Sequence, residues 1–280
     1  MNHDTARPEG SESTPDQASD QDIDIRRKKM DQLRHEHILG RLSANRKVLA
    51  ADLATELSVS VETIRRDLIA LERHALLRRI HGGAVPALAH QDRPIIERSR
   101  IAFREKTLIA RLALGRLRPG MSLFLDTGTT TLALARELGS LAGLSVYTNS
   151  LDIALVIGQF GQHQARVSGG QLRSNDNALV GYDTLEFARK YRFDIAFMGI
   201  AAIDAEAGFM DFDDHEAELR RVLVRQATQR VILADHLKFG RQARLHTLDF
   251  AAVDTLITDG PPPETYATAF ARAGLEVNHG

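Results

Sequence analysis

Residues 59–85 read VSVETIRRDLIALERHALLRRIHGGAV. Val61, Ile64, Leu68 and Leu71 recur at the spacing that places one apolar stripe of a helix against a core. Ser60 stands just ahead of that stripe, where its hydroxyl can cap the first turn. The pattern predicts a helix from Val61 to about Arg73. Glu62, Thr63, Arg66, Ala70 and Arg73 project away from the core stripe. Arg66 falls almost opposite the core, whereas Arg65 falls on the flank. The two adjacent arginines should therefore differ: Arg66 faces solvent, and Arg65 suits a phosphate or a carboxylate such as Asp67 or Asp52.

A helical pattern precedes this stretch, from the basic run RRKKM to about Leu42. A second helix fits VLAADLATELS, with Leu49, Leu53 and Leu57 four residues apart. SVS makes a tight turn, and LLRRIHGGAV reads as a short strand with a turn at Gly82-Gly83. Helix, tight turn and exposed following helix form a helix-turn-helix, whose last helix fits the major groove of DNA. Arg66 is then the candidate for a two-pronged contact to guanine, with Glu62 and Thr63 beside it. Ser58 and Ser60 can reach phosphate. Arg78, Arg79 and His81 flank the glycine turn as a wing on the backbone. Pattern alone leaves open an ordinary amphipathic helix with solvated arginines.

Charge distribution favours the DNA reading. Residues 25–90 carry thirteen Lys/Arg against seven Asp/Glu, although the whole chain has a net charge of -1. A basic block ahead of a neutral body is one footprint of a nucleic-acid-binding module. Residues 1–24 hold seven acids and few large apolar side chains, and read as a disordered acidic tail. They do not read as a secretion signal. The chain has no cysteine, which excludes disulfides and thiolate metal sites and fits a reducing cytoplasm. No apolar run approaches the roughly 20 residues of a membrane span.

The motifs then become specific. Val59, Ser60, Thr63, Ile64, Arg65, Arg66, Asp67 and Leu68, followed by His81, Gly82, Gly83 and Ala84, resemble the DNA-binding domain of the DeoR family of bacterial repressors. That family often has glycine where Ser58 and Ala75 stand here. The resemblance implies a winged helix-turn-helix over residues 25–86, followed by a linker over 87–100.

From about residue 100, short apolar strands alternate with helical segments, as in SLFLD, LSVYTN, ARVSGG, FDIAFMGI, RVILAD and VDTLITD. This rhythm predicts an α/β domain over 101–280 with a mostly parallel sheet covered on both faces. Helices are expected near 131–138, from 151, near 183–190, around 214–227 and over 263–273. Asp126 ends the first strand, and Thr127, Gly128, Thr129, Thr130 and Thr131 lead into a helix. Such a loop can cradle phosphate with its N–H groups and the helix dipole, although the same residues also make plain caps. Asn149 and Ser150, Gly169 and Gly170, and Asp235 with Lys238 follow other strands. Ligands of open parallel sheets bind beyond such strand ends. Phosphate is expected on Gly128–Thr131 helped by Lys238, with sugar hydroxyls on Asp126, Asn149 and Asp204.

LDTGTTT, YTNS, SGGQLR, ALVG, MGIAAID and LADHLKFG are similar to the effector domain of the same family, whose fold resembles phosphosugar isomerases. The resemblance covers about residues 30–260. It implies a repressor of carbohydrate or polyol catabolism genes, bound to double-stranded operator DNA and relieved by a phosphorylated sugar or polyol. MDFDDHEAELRR and ADHLKFGR resemble regulators of glycerol 3-phosphate use, which makes that ester the leading candidate. A homodimer or homotetramer is expected, with no cofactor and no membrane association.

Two rival classes remain in view. An isomerase needs a carboxylate base and often a second acid. In ribose-5-phosphate isomerases those acids follow a central strand, where this chain has Ile200, Ala201, Ala202 and Ile203, with only Asp204 after them. No catalytic residue is therefore assigned. A second domain that only dimerises is the other rival. The acids Asp211, Asp213, Asp214, Glu216 and Glu218, with His215, are read as the acidic start of a helix and not as a metal site. Asp213 and Glu216 match acidic positions of the family and are expected to border the pocket.

Overall fold

The computed structural model describes residues 30–280 apart from 32, 36, 43, 44, 46, 74, 75 and 87–94. The acidic tail, the start of the first helix, Ala75 and most of the expected linker lie outside the described residues. The described residues between 30 and 42 are helical. They are followed by β1 (Val48–Leu49), α1 (Ala50–Glu56), α2 (Val61–Arg73), β2 (Leu77–Ile80) and β3 (Gly83–Pro86). Ile38, Leu42, Leu53, Ile64, Leu68, Leu71 and Leu77 close one core. Each such burial removes about 1.5–3 kcal/mol worth of apolar surface from water.

Helix α2 starts where the cap predicts: the Ser60 hydroxyl accepts from the Thr63 N–H at 3.0 Å. Ser58 bends the preceding turn at φ 53°, the left-handed region in which glycine is the unstrained choice. The second helix begins later than its apolar spacing suggests. Val48 and Leu49 form a strand that pairs with Ala84 and Gly83 of the wing, and Leu49 is 40% exposed instead of core. Gly83 makes this possible, since a β-carbon there would lie 2.0 Å from the Val48 carbonyl oxygen. Val61 is also exposed, because the first turn of α2 precedes its contact with the core.

Within the stretch read as linker, Ile95–Arg100 is a helix, α3, and α4 (Phe103–Leu114) follows it. The chain then lays down β4 (Ser122–Leu125), α5 (Thr129–Glu137), β5 (Ser145–Thr148), α6 (Leu151–Phe160) and β6 (Gln164–Val167). A hairpin of β7 (Gln171–Arg173) and β8 (Ala178–Val180) leads to α7 (Tyr182–Arg189) and β9 (Phe193–Met198). Next come β10 (Ala202–Asp204), β11 (Gly208–Asp211), α8 (Asp214–Gln226), β12 (Ala227–Leu233), β13 (Leu245–Leu248), β14 (Thr255–Thr258), α9 (Ala267–Ala273) and β15 (Glu276–His279).

Seven strands form a parallel sheet in the order β15-β14-β12-β9-β4-β5-β6. Separate apolar clusters cover its two faces, as a parallel sheet requires. Strand order reverses between β4 and β9: the chain runs from β4 outward to β6, then returns to β9 on the other side of β4. The crevice beyond such a reversal is where open α/β sheets bind ligands. Strands β10, β11 and β13 make a small antiparallel sheet that the sequence rhythm does not announce.

Candidate functional site

The N-terminal unit presents Glu62, Arg65 and Arg66 to solvent on α2. The Glu62 carboxylate lies between the arginines, 3.9 Å from Arg65 Nη1 and 3.6 Å from Arg66 Nε. Arg65 is thus not paired with Asp67 or Asp52, as its flank position suggested. Asp67 is buried and already held by Arg34, through Nε at 2.7 Å and Nη2 at 2.9 Å, and by His35 at 3.1 Å. Ser60 divides its hydroxyl between the cap and Thr63 Oγ1 at 2.8 Å.

On the wing, Arg79 bonds Glu72 of α2 through its Nε at 2.6 Å and its backbone N–H at 2.8 Å. That pairing holds the Glu72 carboxyl below its usual range and ties the wing to the helix. Arg78 and His81 stay exposed. Arg79 therefore has an anchoring contact, while Arg78, Arg65 and Arg66 present exposed side chains.

The second site lies beyond the reversal of the sheet. Thr127, Gly128, Thr129 and Thr130 after β4, Gly199, Ile200 and Ala201 after β9, Leu233 at the end of β12, and Asp235, Leu237 and Lys238 after it line one pocket. Glu216 and Arg220 of α8, Phe212 and Arg241 complete one side, and Arg98, Ile101 and Lys106 of the α3–α4 segment another, with Leu76 of the N-terminal unit also in the lining.

Gly128, at φ 155° and ψ 160°, precedes α5 and offers no side chain to cap it. The first-turn N–H groups of α5 therefore open toward the pocket together with the positive end of its dipole. The loop is held from behind: the Thr127 N–H donates to Asn149 Oδ1 at 3.0 Å, and Thr131 Oγ1 donates to the Gly128 carbonyl at 3.0 Å.

Arg98, Lys106, Lys238 and Arg241 join Arg220 as cationic side chains of the lining. Loss of solvent pushes the Lys238 amine down to about 8, Asp235 opposing and the neighbouring cations reinforcing the drop. Burial likewise lowers Lys106, whose Nζ donates to the carbonyls of Arg98 and Ile101, each at 2.7 Å.

Beneath the pocket, Arg220 Nε donates to Asp126 Oδ2 at 2.7 Å, and its Nη1 meets Asp211 and Glu216. Burial raises the Asp126 carboxyl to about 6 against the pull of Arg220. Asp126 Oδ1 and Thr127 Oγ1 are buried without a hydrogen-bond partner among the described residues. Such orphaned acceptors are costly unless something else meets them.

The expected effector residues divide. Thr127, Gly128, Thr129, Thr130 and Lys238 meet at the pocket. Asp126, Thr131 and Asn149 support its loop from below. Ser150 instead caps α6. Gly169 and Gly170 pack against Asp183 and Thr184 near α7. Asp204 accepts the N–H groups of Glu206 and Ala207 in the β10–β11 turn, and neither it nor Asn149 is among the residues that line the pocket. Asp213 caps α8, while Glu216 does line the pocket. Arg98, Lys106, Arg220 and Arg241 are not among the expected site residues, although Arg220 and Arg241 fall within MDFDDHEAELRR and ADHLKFGR; packing of distant segments brings all four to the pocket.

The model of the DeoR-like helix-turn-helix domain matches residues 34–87, and that of the DeoR C-terminal sensor domain matches residues 102–260. The glycerol-3-phosphate regulon repressor of Escherichia coli (strain K12) is 34% identical over 82% of this chain and 91% of its own length. The HTH-type transcriptional repressor GlcR of Bacillus subtilis (strain 168) is 30% identical over 86% of this chain and 93% of its own. Among solved structures, a ribose 5-phosphate isomerase A from Methanocaldococcus jannaschii is 19% identical over 49% of this chain and 55% of that one, with a TM-score of 0.37. No helix among the described residues is long and apolar enough to cross a membrane. A winged helix-turn-helix joined to an α/β sensor domain, with both family models and full-length relatives in agreement, makes this chain a member of the DeoR family of DNA-binding transcriptional repressors.

Proposed function

We propose that this repressor acts on genes of carbohydrate or polyol catabolism in the cytoplasm and is released from its operator by a phosphorylated sugar or polyol, with glycerol 3-phosphate the first candidate. The observation that carries the effector half is the uncapped N-terminus of α5, opening onto a pocket that also holds Lys106, Lys238, Arg98 and Arg241. Helix N-terminus and cations together suit a phosphate dianion. The orphaned oxygens of Asp126 and Thr127 next to it suit hydroxyl donors of the esterified alcohol. The names of the relatives supply the choice of glycerol 3-phosphate.

The reading has no catalytic step. Sugar-phosphate isomerisation needs a base over the carbon acid, and the wall after β9 offers Gly199, Ile200 and Ala201. On DNA, Arg66 reads a base edge, with Glu62, Thr63 and Arg65 beside it. Arg78 and His81 touch the backbone, and Arg79 braces the wing. A homodimer or homotetramer sets two α2 helices on paired half-sites.

The test is fluorescence anisotropy on a labelled fragment from upstream of the protein's own gene, with glycerol 3-phosphate, glycerol and a panel of sugar phosphates titrated in. Release by one ester and not by its parent alcohol supports the reading; specific binding that no ester disturbs overturns the effector half. Gly128→Ala should raise the ester concentration needed for release at least about tenfold, since a side chain at that φ is strained by about 1–3 kcal/mol and its β-carbon would sit 3.2 Å from Thr131 Oγ1.

A further inference from the structure

The segment that joins the DNA-binding unit to the sensor domain forms part of the pocket wall. Helix α3 (Ile95–Arg100) packs against α5, the helix whose N-terminus opens the site. Ile95 is buried and its N–H donates to the Asn175 carbonyl at 3.1 Å. The segment ends at Ala102, which sits at φ 51°, a left-handed backbone that a β-carbon disfavours.

One side chain fastens this segment. Lys106 spends two of its three N–H donors on the carbonyls of Arg98 and Ile101, the last turn of α3 and the residue after it. The same ammonium lines the pocket with Thr127–Thr130 and Lys238. It is buried, so it cannot exchange those carbonyls for water. A phosphate would be the stronger partner, because its full negative charge adds an ion-pair attraction that a neutral carbonyl lacks.

Accepting that the pocket takes a phosphorylated effector, we propose that Lys106 is the coupling residue of the repressor: unliganded, it clamps the α3 segment, and bound phosphate draws its ammonium away and frees the segment that carries the DNA-binding unit. Arg98 gives the segment a second hold on the site, 3.5 Å from buried Asp176. Asp176 is gripped by Arg173, which also contacts Glu216 of the pocket wall. Lys106 thus touches both the ligand's space and the connection to the DNA-binding unit, which Lys238 does not. It acts through α3 and is a positioning residue for DNA binding.

The test uses the full chain and glycerol 3-phosphate. Hydrogen–deuterium exchange is followed at residues 95–101, calorimetry reports ligand binding, and anisotropy reports the operator fragment. In the wild type, saturating ester should speed exchange at 95–101 severalfold as DNA is released. Lys106→Met should show fast exchange there without ligand, should bind the operator as weakly as the liganded wild type, and should still bind the ester, more weakly, with no further release. Wild-type exchange at 95–101 that stays the same or slows on ester binding overturns the proposal, and so does a Lys106→Met protein with wild-type exchange and full release. If Lys106→Met does not fold, the wild-type exchange alone decides. Absence of calorimetric binding by every ester of the panel sinks the effector reading itself, an outcome distinct from binding without change at 95–101, which sinks only the coupling.

Discussion

Arg65 and Arg66 share one carboxylate, Glu62, and at 3.6–3.9 Å in open solvent neither contact holds its arginine firmly. Both guanidiniums can leave it for DNA. Arg66 projects directly away from the core, so Arg66→Ala should cost about 1–3 kcal/mol of operator affinity and relax preference at one base pair. Anisotropy on an operator series substituted one base pair at a time checks this; unchanged affinity and preference would refute the base-reading role. Lys238 sets a pH dependence in the other domain. Its amine titrates near 8 in the free protein, and a bound anion would raise that value, so affinity is present below about 8 and falls as pH rises through it. One unit above its pKa, only about a tenth of the amine stays charged. Calorimetry at pH 7 and pH 9 should show ester affinity dropping several-fold, and Lys238→Met should flatten that change.

Among the elements, the wing depends on a residue with no side chain. Gly83→Ala would drive a β-carbon into the Val48 carbonyl, so β1 must part from β3. A loss of about 2 kcal/mol or more in the stability of the N-terminal unit is expected, read by urea denaturation followed by circular dichroism, with operator binding lost in step. The sequence makes α2 legible because its periodicity, its cap and its core are all local: Ser60, Ile64, Leu68 and Leu71 lie within one short stretch. It hides β1, because Val48 and Leu49 continue the apolar spacing of α1 and become a strand only through pairing with Ala84 and Gly83. The pocket divides on the same ground. Thr127–Thr130 are readable from a strand end followed by a helix. Lys106 and Arg98 are not, since their place depends on how α3 and α4 pack onto the sheet. Asp204 shows the same dependence: it follows a central strand in sequence, but lies in the β10–β11 hairpin outside the pocket lining.

Across the whole molecule, near-neutral net charge conceals a basic DNA-binding block. Operator affinity should therefore fall steeply with salt although the protein is almost uncharged. Arg78→Ala should weaken specific and nonspecific DNA alike and lower the log–log salt slope by about 1 per half-site. Anisotropy between 50 and 200 mM salt checks this; a variant that loses only specific binding would place Arg78 on a base. The order of strands carries a different consequence, for the life of the chain before it is complete. The N-terminal unit closes its core from nearby residues, whereas β4 waits for β9, with Leu123 pairing Ile195 and the crossovers of β5 and β6 between them. Parallel pairings this distant form late, and domains fold in turn as synthesis proceeds. A nascent chain thus folds its DNA-binding unit before the sensor domain exists, and a message cut short after the wing would yield a folded unit with nothing to take the metabolite.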